Sequence, residues 1–188
     1  MPTQTNLLNS DNSLLLIVDI QSRLLSVMPE EAAKGMVENS ANLILAANLL
    51  DIPVLLTEQY PKGLGQTAEE ISQQLNTSAT VFEKTGFSCC SAENFNNTLQ
   101  KTQRQQIIIV GQEAHVCVLQ TALELIQQGF QVHIIEDAIC SRKAEHKFFA
   151  LQRLQQQGAT ISNFESVLFE WLRDSTHQHF KEISNLLF

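Results

Sequence analysis

Several things are missing from this 188-residue sequence, and each absence excludes something. No apolar run approaches the roughly 20 residues of a membrane-spanning helix, so a membrane partner is not expected. Basic residues are few, 12 Lys and Arg against 20 Asp and Glu, and they do not cluster. With a formal net charge of −8, the chain is a poor match for nucleic acid or an anionic membrane. The four cysteines, Cys89, Cys90, Cys117 and Cys140, form no C-x-x-C, and no histidines are spaced around them. Neither a disulfide framework nor a zinc site is indicated. Residues 1–13 lack the basic and apolar regions of a signal peptide and read as a short polar lead-in. Free thiols in a reducing, cytoplasmic setting are the expectation. There is no linker, internal repeat or low-complexity tract, so residues 1–188 are expected to fold as one domain.

The stretch that organises the rest is QIIIVGQEAHVCV, residues 106–118. Four β-branched residues, Ile107 to Val110, read as a strand buried on both faces, and Gly111 as its end. A helix pattern follows, with Val116, Leu119, Leu123 and Ile126 on one face. Cys117 falls in the first helical turn, where free N–H groups and the helix dipole favour a thiolate.

Other strands are expected at residues 14–20, 52–57, 80–83, 131–136 and 159–163. The expected helices span 30–50, 68–75, 142–157, 166–173 and 177–187, with another opening at Ser91 as N-cap and running to about Lys101. On the last, Phe180, Ile183 and Leu187 share a stripe. Strand and helix alternate throughout, which means α/β with a mainly parallel six-stranded sheet. Ligands of such sheets gather beyond the carboxyl ends of the strands. Asp19, Lys84 and Cys117 lie at three such ends.

An acid, an ammonium and a thiol brought together would make a nucleophilic site. A thiol with an ordinary pKa of about 8.5 needs help at neutral pH. Lys84 would stabilise the thiolate, and Asp19 would take the thiol proton and return it to the leaving group. The N–H groups of Glu113 and Cys117 could hold an oxyanion. Each residue also has a plainer reading. Cys117 could be an inert packing thiol, Asp19 could pair with Arg23, and Lys84 could be a solvated loop lysine. Cys140 and the Cys89–Cys90 pair read as packing thiols. His115 lies two residues from Cys117, on a different side of the helix, and is set aside as a base. Gln21, Tyr60, Phe87 and His115 are the candidate lining of a substrate pocket.

Three segments, VDIQ at 18–21, FEKTGFS at 82–88 and VGQEAHVCV at 110–118, together resemble the isochorismatase-like cysteine hydrolases. TEQYPKGLG at 57–65, QVHIIEDA at 131–138 and HQHFKEI at 177–183 are most similar to the isochorismatase domain-containing subgroup. The resemblance implies a three-layer Rossmann-like fold with strand order 3-2-1-4-5-6. It also implies an Asp19–Lys84–Cys117 triad, a cis peptide between Gln112 and Glu113, and a homo-oligomer. Nicotinamidases of the family hold a metal through Asp and His after the second strand. Residues 57–67 contain neither, so no metal or other cofactor is expected. The implied activity is metal-independent hydrolysis of a small amide or related carbonyl compound through a thioester acyl-enzyme. The alternatives are a non-catalytic oligomeric or partner-binding member, and an ether hydrolase of the isochorismate type.

Overall fold

A computed structural model describes residues 6–188; the part of the expected lead-in at residues 1–5 lies outside the described residues. Chain order is β1 (Ser13–Val18), α1 (Ser22–Leu25), α2 (Glu30–Leu49), β2 (Val54–Gln59), α3 (Pro61–Leu64), α4 (Glu69–Ser72), β3 (Thr80–Lys84), α5 (Phe95–Lys101) and β4 (Gln106–Gln112). A π-type turn (Ala114–Val118) then leads into α6 (Leu119–Gln127), β5 (Gln131–Cys140), α7 (Ala144–Gln156), β6 (Thr160–Ser162), α8 (Phe164–Leu172) and α9 (Phe180–Ser184). The six strands form one sheet in the order β3-β2-β1-β4-β5-β6, and every pairing is parallel.

β1 and β4 are buried along their whole length, because helices cover both faces of the sheet. Side chains alternate between those faces. Leu15, Ile17, Ile108 and Val110 join the core formed with Met36, Leu43 and Ile44 of α2 and Leu168 and Trp171 of α8. Leu14, Leu16, Ile107 and Ile109 join the opposite core, with Phe95 of α5, Ala122 and Leu125 of α6, and Leu154 of α7. The stripe of Phe180, Ile183 and Leu187 packs on the first core as expected, although a 3-10 turn (Asn185–Leu187) finishes α9.

Several local expectations need correction. Gly111 does not end its strand. It sits inside β4 with φ 112°, at a register shift against β5. A Cβ there would lie 2.1 Å from the Val18 carbonyl oxygen, so glycine is what lets β4 run close beside β1. β5 continues to Cys140: the register against β4 shifts at Val110, from Ile109 opposite Ile134 to Gly111 opposite Ile139, and pairing then resumes. Ser91 belongs to a 3-10 turn (Cys89–Ser91), and Asn94, with φ 62°, precedes α5 instead. The helix expected over 68–75 is a single turn, α4, and α7 begins two residues later than expected. The α6 stripe is out of phase: Cys117, Val118, Thr121, Ala122 and Leu125 are buried, whereas Val116, Leu119, Leu123 and Ile126 are half-buried. The lead-in also does more than stay solvated, since Leu8 is fully buried and its N–H donates to Glu170 Oε2 at 2.7 Å.

Candidate functional site

Asp19 follows β1 directly, and backbone bonds from three neighbours fix it. Its N–H donates to Thr57 O on β2 at 3.1 Å, and its carbonyl accepts from Gln112 Nε2 on β4 and from Gln21 N. It takes φ 51°, a left-handed conformation that Asp tolerates better than most residues. The buried carboxylate accepts from Lys84 Nζ at 2.7 Å on Oδ2 and from Thr57 Oγ1 at 2.8 Å on Oδ1. The Cys117 thiol lies beside this carboxylate, close enough for the two groups to shift each other's pKa. Burial raises the carboxyl above its ordinary range, and the Lys84 charge beside it works in the opposite direction.

Lys84, at the end of β3, is not a solvated loop lysine; its side chain is fully buried. Its ammonium also donates to Gln59 Oε1 at 2.7 Å and to the carbonyls of Phe87 at 2.9 Å and Gly86 at 3.4 Å. A buried charge persists only with such compensation. The alternative Asp19–Arg23 pairing does not form, because Arg23 donates to Gly63 O instead.

Cys117 is 6% exposed and lies in the π-type turn ahead of α6. The thiolate expected at a helix start is not the resting form. Burial first, then the neighbouring Asp19 charge, drive the thiol pKa well up, and Lys84 offsets only part of this. The thiol therefore stays protonated until a base removes its proton. The Gln112–Glu113 peptide just ahead of this turn is cis.

The candidate pocket residues separate into three places. Tyr60, half exposed, lines a cleft of about 350 Å³ with Lys62, Lys84, Thr85 and Ser91, and its N–H donates to Lys84 O at 2.8 Å. Phe87 is also half exposed, three residues beyond Lys84, which binds its carbonyl. Gln21 is fully buried. Its amide accepts from Gln59 N at 2.7 Å and donates to the carbonyls of Gln59 and Gly65, so it braces the 60–67 loop. His115 lines a different hollow with Leu119, His146 and Phe149; its Nδ1 is 3.0 Å from Ser141 Oγ, and its ring is 4.5 Å from that of His146.

The position where a nicotinamidase-type metal would sit does not suit one. Glu58 is the sole carboxylate there, and its Oε1 already accepts from Thr67 N and Oγ1 at 2.7 Å each. Among the described residues, no three His, Cys, Asp or Glu gather in a metal-binding group. Three site residues escaped the sequence reading. Thr57 and Gln59 are polar residues at the carboxyl end of a buried strand, which is the signal that could have flagged them. Cys89 is more than a packing thiol, since its Sγ lies 3.4 Å from Thr57 Oγ1. Cys140 does pack as expected, with Sγ 3.4 Å from Met36 Sδ.

The family model described as Isochorismatase domain matches residues 13–166. Isochorismatase family protein 1B of Dictyostelium discoideum is 39% identical over 176 residues, covering 92% of this chain and 84% of that protein. Isochorismatase domain-containing protein 2 of Danio rerio is 37% identical over 180 residues, covering 96% and 89%. Among solved structures, one described as the MAR1 ribonuclease of Caenorhabditis elegans superposes with a TM-score of 0.90 at 37% identity, covering 96% of this chain and 91% of that one. A family match across most of the domain, relatives that align nearly end to end and the sheet order described above agree: the chain belongs to the isochorismatase family, with that family's hydrolase fold.

Proposed function

We propose that the protein is a metal-independent cysteine hydrolase that cleaves a small amide or related carbonyl compound through a thioester. One observation carries the reading: a buried carboxylate, Asp19, accepts from the Lys84 ammonium and lies close enough to the Cys117 thiol for its charge to raise that thiol's pKa. Asp19 takes the thiol proton as the sulfur attacks the carbonyl carbon, forming the C–S bond. The carbonyl π electrons move to oxygen, and the N–H groups of Glu113 and Cys117 are assigned to hold that oxyanion. Collapse breaks the C–N bond, and the leaving amine takes the proton from Asp19. Water then attacks the thioester and gives a proton to Asp19. The acid departs, and the proton returns to sulfur. Lys84 keeps the site's charge balanced throughout. Tyr60 and Phe87, beside the lysine, are assigned to the substrate side of the cleft.

Four free thiols fit a cytosolic setting. Self-association fits the apolar surface left on α6 and α7, where Phe148 and Phe149 are 55% and 63% exposed. A net charge of −8 weighs against RNA as substrate, despite the activity named for the Caenorhabditis elegans neighbour.

The test is a panel of small amides assayed for ammonia release, with Cys117→Ala as control and RNA included. Ammonia from the parent alone supports the reading. Ammonia release that survives in Cys117→Ala overturns the thioester mechanism, whereas an ether hydrolase would release no ammonia and would cleave a vinyl ether with or without Cys117. No turnover, together with Cys117 alkylating no faster than the other thiols, points to a non-catalytic member. Dialysis against a chelator should leave the activity unchanged; loss that is restored by zinc or iron would overturn the metal-free mechanism.

A further inference from the structure

We infer that Thr57 is a positioning residue for the Asp19 carboxylate, held in its donating orientation by Cys89 and, behind it, Thr121. The inference rests on the reading of Asp19 as the base of a cysteine nucleophile.

Thr57 is fully buried and has one hydroxyl proton to give. Its Oγ1 has two neighbours, Asp19 Oδ1 at 2.8 Å and Cys89 Sγ at 3.4 Å. An ionised carboxylate can only accept, so the Thr57 proton goes to Asp19 and the threonine oxygen accepts from the Cys89 S–H. Cys89 keeps that proton, since burial pushes its thiol up to about 12. On its other side, Cys89 N donates to Thr121 Oγ1 at 2.9 Å, which fixes the cysteine in place. Thr121 stands four residues after Cys117, one helical turn further along the same face. A line of donors therefore runs from the Cys89 thiol through Thr57 to the carboxylate that faces the nucleophile, and Thr121, on the helix behind the nucleophile, anchors Cys89 by accepting its backbone N–H.

This line does something Lys84 cannot do alone. Lys84 holds Oδ2, but the terminal torsion of a carboxylate is broad, and a single contact leaves it free to rotate. Thr57 fixes the second oxygen and favours the ionised form. The titratable groups that bear on Asp19 are Lys84 from β3, Cys117 from the turn after β4, and Cys89 behind Thr57. Loss of the Thr57 hydroxyl raises the pH at which Asp19 gives up its own proton and becomes able to accept another.

The experiment measures the rate of Cys117 alkylation by iodoacetamide against pH, on the full chain, with each thiol resolved by peptide mass mapping. Thr57→Val should move the acid limb of the Cys117 profile up by about one pH unit, roughly a tenfold loss of labelling on that limb. Thr57→Ser, which keeps the hydroxyl, should restore the parental limb. Cys89→Ala should move it in the same direction by a smaller amount, about twofold in rate. A merely structural threonine would change the melting temperature and leave the limb in place. A Thr57→Val limb that coincides with the parent, or a Thr57→Ser limb displaced as far as that of valine, overturns the inference while leaving Asp19 and Cys117 in their roles. If Thr57→Val does not fold, Cys89→Ala decides, and an unmoved limb there counts against the inference. Parental Cys117 that labels no faster than half-buried Cys90 overturns the base assignment and this inference together.

Discussion

Two buried titratable side chains in this sheet meet opposite fates. Asp19, beyond the end of β1, is fully buried and accepts from Lys84 and Thr57, with the Cys117 thiol beside it. His133, inside β5, is 1% exposed, and its Nε2 has no hydrogen-bond partner among the described residues. Burial acts on both by disfavouring charge. At Asp19, an ammonium and a hydroxyl donor offset that cost, which is how a buried charge is retained out of water. At His133 nothing offsets it, so the ring stays neutral, with a pKa lowered to about 4. Burial alone does not mark a site; burial together with convergent partners does.

The sharpest way to break the contrast is to remove one half of the Asp19–Lys84 pair. Lys84→Met leaves a buried carboxylate without its cation, and Asp19→Leu leaves a buried ammonium without its anion. Each should cost about 3–5 kcal/mol in urea unfolding. The double variant Asp19→Leu, Lys84→Met should recover most of that loss, because two apolar residues leave no charge unpaired. All three variants should lose fast Cys117 alkylation. Independent, additive losses in the double variant would mean that the two groups do not act as a pair.

His133 gives the next largest effect, and its sign is set by linkage. The folded-state pKa, about 4, lies below the ordinary 6.5, so between those values the unfolded chain binds more protons. The His133 contribution is fully present above about pH 6.5 and is lost as pH falls toward 4. The loss should total about 3 kcal/mol. His133→Leu should remove this component from the pH dependence of urea unfolding. A His133→Leu curve parallel to that of the parent from pH 7 to 4 would show that the ring is solvated or paired in solution.

The same contrast explains which parts were legible in the sequence. Asp19, Lys84 and Cys117 stood out because each is a polar residue at or just past the end of an apolar strand, and their spacing resembled a family. Thr57 and Cys89 did not. A threonine ending VLLT satisfies β propensity, and a cysteine in a Cys–Cys pair looks like packing until its Thr57 contact is known. Gly111 was read as punctuation because a close approach between strands depends on the partner, here Val18, which local sequence does not name. The α6 stripe had the right period and the wrong phase. The π-type turn at Ala114–Val118 closes on a wider ring than an α-turn, so it changes which residues face the core. His133 carried no signal, since a lone histidine in a run of β-branched residues reads the same whether it is satisfied or orphaned.

The smallest effect belongs to a second ion pair near Cys117. Arg142 Nε lies 3.1 Å from both oxygens of Glu113, the residue that follows the cis peptide. Its chemistry resembles that of Lys84–Asp19, but its surroundings differ: the Arg142 side chain is 57% exposed, against none for Lys84. Water screens the Arg142 charge, and a long exposed side chain gives up rotamer freedom to hold one geometry. The Arg142 backbone N–H also donates to Glu113 Oε2 at 3.0 Å, and that bond survives truncation of the side chain. Arg142→Ala should therefore cost less than about 1 kcal/mol in urea unfolding. The difference from the parent should shrink further at high salt, because an exposed pair is screened where a buried one is not. A salt-insensitive loss as large as that of Lys84→Met would mean that Glu113 depends on Arg142 as Asp19 depends on Lys84, and the distinction between the interior and the rim of the site would fail.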